Sequence, residues 1–127
     1  MDASHTEPVA GAPAAADATD YDRRWLVVDA QNAWLNASQA PALAQLQLQL
    51  RFGYLVLRAP GMLRLDIPLD VIEDDASVEA TAQVSDQTVR AVDEGELAAA
   101  WFTDYLGQPC RLLKVHPEAG AVAWPDR

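Results

Sequence analysis

The sequence contains very little lysine, cysteine and histidine. Lys114 and Cys110 are each the only residue of their type, and the two histidines, His5 and His116, lie far apart. A single cysteine excludes an internal disulfide and is typical of a reducing compartment. Two distant histidines do not form a zinc motif, and the isolated glycines form no phosphate-binding loop. We therefore predict no metal site, no catalytic residues and no bound cofactor.

Long apolar runs are also missing. No segment approaches the roughly 18 consecutive apolar residues that a membrane-spanning helix needs, and the N-terminus lacks the basic start and apolar core of a secretory signal. The formal net charge of −10 opposes non-specific binding to nucleic acid or to anionic lipid. We expect a cytoplasmic protein with no nucleic-acid partner and no membrane association.

The charge is distributed unevenly along the chain. Residues 21–64 carry a net charge of +3, because they contain five arginines and only two acidic residues, Asp22 and Asp29. Residues 1–20 carry −4 and residues 65–127 carry −9. The acidic run over residues 73–75 lacks the alternating ligands and the glycine of a calcium loop. We interpret this run as a solvated turn.

The first twenty residues differ in composition from the rest. They are rich in alanine, proline and aspartate, with no apolar periodicity and no aromatic side chain. Such a segment buries too little apolar surface to offset the entropy of ordering it. We predict a disordered tail over residues 1–20 and one domain over residues 21–127.

Short strands and turns dominate the remaining pattern. Leucine alternates with glutamine and arginine over residues 46–51, which predicts a half-buried strand, with a helix over residues 42–50 as the alternative. Other strands are predicted at residues 25–29, 34–36, 54–58, 63–67, 78–84, 88–92, 111–115 and 121–124. The pattern predicts a mainly β, mostly antiparallel, barrel-like fold with one short α-helix near the C-terminus.

The helix is predicted between Asp93 and Gly107. Asp93 and Glu96 fit a capping box, and Gly107 fits a left-handed C-terminal cap. The apolar face is predicted to comprise Leu97, Ala100, Trp101 and Tyr105. Cys110 follows in a strand with apolar neighbours, so we expect a buried and unreactive thiol.

Four segments resemble a known family when they are taken in order. They are Tyr21–Asp29, Trp34–Asn36 followed by Pro41–Ala44, Leu57–Gly61, and Asp93–Leu113. In this order and spacing they resemble the N-terminal β-barrel domain of MOSC proteins. The resemblance implies a barrel that precedes the MOSC domain in molybdenum-cofactor sulfurases and amidoxime-reducing enzymes.

The chain departs from the pattern of that family in three ways. The resemblance places the molybdenum-ligating cysteine in a MOSC domain that lies beyond the matched segments, so Cys110 does not correspond to it. Ser38 stands where the family often has an arginine, which removes a charge suited to binding a phosphate. The sequence ends at Arg127. We therefore expect a freestanding domain that binds no molybdenum cofactor by itself.

Two functional hypotheses remain. The first is a non-catalytic interaction module that associates with a MOSC-type or oxidoreductase subunit, or with itself. The second is a protein or enzyme that binds a small molecule or anion at an arginine-lined end of the barrel. For either role the candidate contact residues are Arg23, Arg24, Arg58, Arg64 and Trp34. The alternative is that these arginines have no binding role and only form ion pairs with the chain's own carboxylates.

Overall fold

The computed structural model describes residues 7–13, 15, 21–69, 79–116, 118–119 and 122–124. Seven strands, one α-helix and one 3-10 helix occur in these ranges. The strands are β1 Trp25–Asp29, β2 Gln47–Arg51, β3 Tyr54–Arg58, β4 Leu65–Pro68, β5 Glu79–Val84, β6 Gln87–Asp93 and β7 Cys110–Val115, with α1 at Glu96–Leu106 and the 3-10 helix at Pro41–Gln45. The predicted acidic turn at residues 73–75 lies outside the described residues.

The strands form two antiparallel sheets. The order is β1-β7-β6-β5 in the four-stranded sheet and β2-β3-β4 in the three-stranded sheet. The register of the smaller sheet pairs Arg51 with Tyr54, which leaves a two-residue turn between β2 and β3. The sheets curl around a shared core, and the mainly antiparallel, barrel-like fold with one helix near the C-terminus is as predicted. The strand predicted over residues 46–51 is confirmed as β2, Gln47–Arg51, in place of the alternative helix.

Two strands of the four-stranded sheet, β1 and β7, are buried on both faces. Trp25 and Val27 face the main core between the sheets and α1, whereas Leu26 and Val28 face a second core on the opposite side. This explains why β1 is continuously apolar, since a strand covered on both faces has no polar side. The three-stranded sheet has one face in the main core, and in β2 and β4 the apolar residues alternate with exposed ones.

The helix begins later than predicted. Asp93 is the last residue of β6 and pairs with Leu113, so the helical N-cap is Gly95 rather than Asp93. The Asp93 side chain accepts a hydrogen bond from the Gly95 amide at 2.8 Å instead. The predicted capping box is therefore wrong, and Leu97 is 77% exposed. The prediction for Gly107 is confirmed, since this residue has a φ of 73°.

The buried face of α1 agrees with the prediction at Trp101 and Tyr105 but not at Leu97 and Ala100, which are exposed. Ala98, Trp101 and Phe102 enter the main core, and Tyr105 packs beside them. The Trp101 and Phe102 rings meet edge to face with centroids 4.9 Å apart. The prediction of a buried Trp101 is confirmed, whereas Phe102, which is fully buried, was missed. Cys110 is also buried, as predicted.

Part of the N-terminal segment packs on the fold, which differs from the predicted disordered tail. The amide of Ala10 donates to the carbonyl of Trp25 at 2.8 Å, and the Trp25 amide donates to Pro8 at 3.0 Å. Val9 and Ala10 are fully buried. Backbone hydrogen bonds to β1 hold residues 8–10 against the sheet, and the composition of the segment gave no sign of them. For residues 1–6, 14 and 16–20 the prediction lies outside the described residues.

Candidate functional site

The outer face of the three-stranded sheet carries the candidate site. Because side chains alternate along a strand, those that do not enter the core point to the opposite face. An open depression of about 360 Å³ lies there. Its lining residues, which we call the arginine face, are Arg51, Phe52, Tyr54, Val56, Arg58, Arg64 and Asp66.

The β2–β3 turn fixes one end of this face. Phe52 and Gly53 have φ values of 52° and 82°, as a tight hairpin turn with two left-handed residues requires. Glycine adopts this conformation without cost, but phenylalanine does not. The Phe52 side chain is 89% exposed, so burial in the core does not compensate for its backbone conformation. The Arg51 guanidinium lies 5.2 Å from the centre of the Phe52 ring.

An apolar floor lies between the arginines. Val56 occupies the centre of β3, opposite Gln49 on one side and Asp66 on the other. Although it points away from the core, Val56 is only 6% exposed. The longer side chains around it therefore form the walls of the depression. This arrangement combines an apolar base with charged groups at its rim, as in many binding sites.

The arginine face is positively charged in an acidic protein. Asp66 is the single carboxylate of this face, and it pairs with Arg64 at 3.1 Å. Among the ion pairs of the described ranges, none involves Arg51 or Arg58. Two guanidinium groups are therefore available for carboxylate or phosphate groups, which they bind in bidentate geometry.

The structure separates the other predicted contact residues from this face. Arg23 is buried, pairs with Glu7 at 3.0 Å and lies 5.2 Å from the Trp124 ring. Arg24 precedes β1, and its carbonyl accepts a hydrogen bond from Val115. Arg58 and Arg64 thus lie together, whereas Arg23 and Arg24 belong to the four-stranded sheet.

Trp34 is buried in the second core rather than exposed at a sheet edge. Its indole N–H donates to the carbonyl of Ala10 at 3.2 Å, and its ring meets Trp124 edge to face at 4.9 Å. Both contacts depend on segments distant in sequence, which explains why the local pattern did not place this residue. The exposed aromatics of the site are instead Phe52 and Tyr54, and their only sequence signal is the turn that contains Gly53.

A second depression lies where α1 meets β7 and the turn after β1. It also measures about 360 Å³, and its lining includes Thr103, Cys110 and Arg111. Arg111 binds Asp93 at 2.5 Å and Glu96 at 2.8 Å, and these carboxylates raise the pKa of its guanidinium. Arg111 is therefore paired, and Asp29, which also lines this depression, accepts hydrogen bonds from the Gln31 and Ala33 amides.

Within the described ranges, no set of three His, Cys, Asp or Glu residues is arranged to hold a metal ion. His116 is buried, and its Nδ1 accepts a hydrogen bond from the Glu118 amide at 3.0 Å. Nor does any helix in those ranges have the length and apolarity to cross a bilayer.

The two curled sheets, the closing helix and the arginine face define a small β-barrel-like domain. The chain belongs to the MOSC N-terminal beta barrel domain family, whose sequence model matches residues 7–109. The resemblance seen in the sequence is thereby confirmed. A solution structure of a Bordetella bronchiseptica protein has the same fold, with a TM-score of 0.83 and 54% sequence identity over 98% of each chain.

Longer proteins contain a related segment. The molybdenum cofactor sulfurase of Danio rerio is 33% identical over 101 residues, which are 77% of this chain and 12% of that protein. The human molybdenum cofactor sulfurase is 31% identical over 96 residues, or 74% of this chain and 11% of that protein. The mitochondrial amidoxime-reducing component 1 of Xenopus laevis is 32% identical over 103 residues, or 80% and 29%. The chain therefore spans less than a third of the length of these curated relatives.

Proposed function

We propose that this protein is a non-catalytic interaction module whose arginine face binds an acidic surface of a separate protein. The partner class we propose is a MOSC-type or oxidoreductase subunit. The observation that carries the proposal is the pair Arg51 and Arg58, which no described carboxylate neutralises in a chain of net charge −10. Opposite charges across an interface accelerate association and select the partner.

The composition of the arginine face supports protein binding. Arginine and aromatic residues are enriched at the energetically dominant positions of protein interfaces. Four large hydrophobic residues are exposed among those described, and three of them, Phe52, Tyr54 and Leu63, belong to the three-stranded sheet and its connections. Exposed apolar groups beside charged ones are favourable contact points because their burial removes apolar surface from water.

The size of the relatives supports the choice of partner class. In the sulfurases and in the amidoxime-reducing component, the matching segment accounts for 11–29% of a longer protein. The related domain therefore occurs together with other protein parts in those relatives. We propose that the partner of this chain is related to those parts.

Cross-linking in the native host tests this function. The tagged protein, the Arg51→Gln/Arg58→Gln variant and the control Arg90→Gln are compared, since Arg90 is an exposed arginine on the other sheet. We expect the wild type and the control to retain one acidic MOSC-type or oxidoreductase protein, identified by mass spectrometry, and the double variant to lose it. Equal retention by the wild type and both variants, or a strict monomer without such a partner, would contradict the proposal.

The second candidate function is binding of a small anion in the same depression. Its volume of about 360 Å³ and its three arginines favour this alternative. Inorganic phosphate, pyrophosphate and free pterins are suitable probes in a thermal-shift titration, because a ligand that binds the folded state raises the melting temperature by mass action. A saturable rise that is lost in Arg58→Gln would favour anion binding over protein docking.

A further inference from the structure

The edges of the two sheets differ in how they are protected. An unprotected edge strand presents unpaired N–H and C=O groups that can pair with another chain. On the outer side of β1, the Ala10 amide donates to Trp25 and the Leu35 amide donates to Val27, both at 2.8 Å. The edge of β1 is therefore covered by the chain itself.

The edge of β5 is covered in a similar way. The amide of Gln83 donates to the carbonyl of Asn32 at 2.8 Å, and the amide of Trp34 donates to the carbonyl of Gln83 at 2.9 Å. At the third edge, β4 has only four residues and ends in Pro68, which has no N–H. A short strand with a proline is a poor template for further pairing.

The fourth edge, β2, has none of these protections. It contains five residues with neither proline nor lysine. Within the described ranges its backbone pairs only with β3, through the register from Gln47 opposite Arg58 to Arg51 opposite Tyr54. On its inner side, Leu48 and Leu50 are only half-buried at the rim of the main core. The strand thus offers unpaired backbone groups and uncovered apolar surface together.

We propose that the edge of β2 accepts an added β-strand from an acidic protein partner. This inference rests on the proposed function and specifies how the partner binds. Backbone hydrogen bonds to β2 supply affinity in such a mode, and alternate side chains of the added strand supply specificity.

The two faces of the sheet define the sequence that the added strand needs. Its inward side chains lie beside Leu48 and Leu50, so apolar residues there extend the main core. Its outward side chains lie beside Gln47, Gln49 and Arg51, and a carboxylate opposite Arg51 has its Cβ about 4.5–5.5 Å away. The partner strand therefore alternates apolar and acidic residues.

A second copy of this chain fits the edge less well. Antiparallel pairing of two β2 strands about Gln49 places Arg51 of one copy opposite Gln47 of the other. Gln47 is itself paired with Arg58 on β3. The outer face would then collect arginines from both copies without any additional carboxylate beside them. Like charges on one sheet face oppose pairing, so charge favours a partner that supplies carboxylates.

A peptide titration followed by NMR tests the added strand. The probe is a ten-residue peptide with blocked ends that alternates glutamate and valine, added to the isotopically labelled full chain. We expect amide shifts concentrated in residues 47–51, slower amide exchange there, and weaker binding at higher salt. A peptide with glutamine in place of glutamate should bind less tightly.

Two further comparisons separate strand addition from simple charge attraction. A peptide N-methylated at alternate residues keeps its charge but loses backbone donors, and we expect its affinity to fall by more than about tenfold. Arg51→Gln should weaken the unmodified peptide by about two- to fivefold, whereas Arg90→Gln should have no effect.

Other outcomes would overturn this inference. Undiminished binding of the N-methylated peptide, with loss in Arg58→Gln, would mean that the partner lies across the arginine face, and the proposed function would survive without strand addition. Concentration-dependent shifts of β2 without peptide would identify a second copy as the occupant. No shift of β2 with any peptide would also refute the proposal.

Discussion

The indole Nε1–H of Trp101 donates a hydrogen bond to the backbone carbonyl of Leu63 at 2.7 Å. Trp101 lies in α1 and Leu63 lies in the β3–β4 connection, so this bond joins the helix to the three-stranded sheet. One turn later the Tyr105 hydroxyl donates to the carbonyl of Ala42 at 2.7 Å. The helix is therefore fixed to the smaller sheet and to the 3-10 helix by polar contacts as well as by its apolar face.

We expect Trp101→Phe to lower the free energy of unfolding by about 1–2 kcal/mol, because it removes this hydrogen bond and part of the buried ring. Urea denaturation measures the change. Leu97→Ala on the exposed side of the same helix is the matched control, and its effect should remain within about 0.5 kcal/mol. A larger loss in Leu97→Ala than in Trp101→Phe would mean that the buried face of α1 is assigned incorrectly.

Arg111 links the end of β6, the start of α1 and β7. Its Nε contacts Asp93 at 2.5 Å, and its second contact reaches Glu96, which is largely exposed. We expect Arg111→Gln to destabilise the fold by about 1 kcal/mol, since the Asp93 contact is partly buried, and Glu96→Gln to cost less than about 0.5 kcal/mol. A double-mutant cycle with Asp93→Asn measures the coupling. Additive effects of Arg111→Gln and Asp93→Asn would show that the pair contributes no coupling energy.

Most strands were predictable because local signals and tertiary structure agree there. The strands predicted at residues 34–36 and 121–124 are wrong, since among the described residues of these two segments only Trp34 forms an isolated bridge. The leucines of β2 alternate, and Gly53 marks the turn that follows. The structure places Arg51 and Arg58, which end β2 and β3, at one depression together with Arg64. Period-two alternation fixes which face a side chain occupies without any knowledge of distant contacts.

The start of α1 and the location of Trp34 were not predictable in the same way. The capping pattern at Asp93 competes with pairing between Asp93 and Leu113, and the strand pairing prevails. Trp34 is buried because Ala10 and Trp124 reach it from distant parts of the sequence. Such contacts leave no local periodicity, so a single sequence does not reveal them.

Cys110 is buried, and only 4% of the residue is exposed. Burial raises its pKa, and a hydrogen bond with Thr103 acts in the opposite direction but less strongly. We expect a thiol-reactive dye to label Cys110 slowly in the native protein and rapidly after denaturation, because the thiolate is the reactive form. Rapid labelling of the native protein would contradict the placement of β7.

The same raised pKa predicts how stability depends on pH. The unfolded thiol loses its proton near pH 8.5, whereas the folded thiol keeps it to higher pH. The contribution of Cys110 is therefore complete below about pH 8.5 and is lost as the pH rises through the folded pKa. Unfolding measurements from pH 7 to pH 10 on the wild type and Cys110→Ala should converge at alkaline pH. Parallel curves would contradict this prediction.

Phe52 combines an unfavourable backbone conformation with an exposed ring. Its φ of 52° lies in the left-handed region, where asparagine is tolerated much better than phenylalanine. We expect Phe52→Asn to raise the free energy of unfolding by about 0.5–1 kcal/mol, because it relieves the backbone strain. We also expect it to weaken binding of the acidic peptide, because it removes the ring beside the Arg51 guanidinium. Thermal unfolding and the NMR titration measure the two effects. Gly53→Ala is the contrasting variant and should destabilise by about 1 kcal/mol, because its φ is 82°. If Phe52→Asn instead destabilises the fold, the Phe52 ring contributes to folding through its contact with Arg51, and a docking role is not needed to explain its exposure.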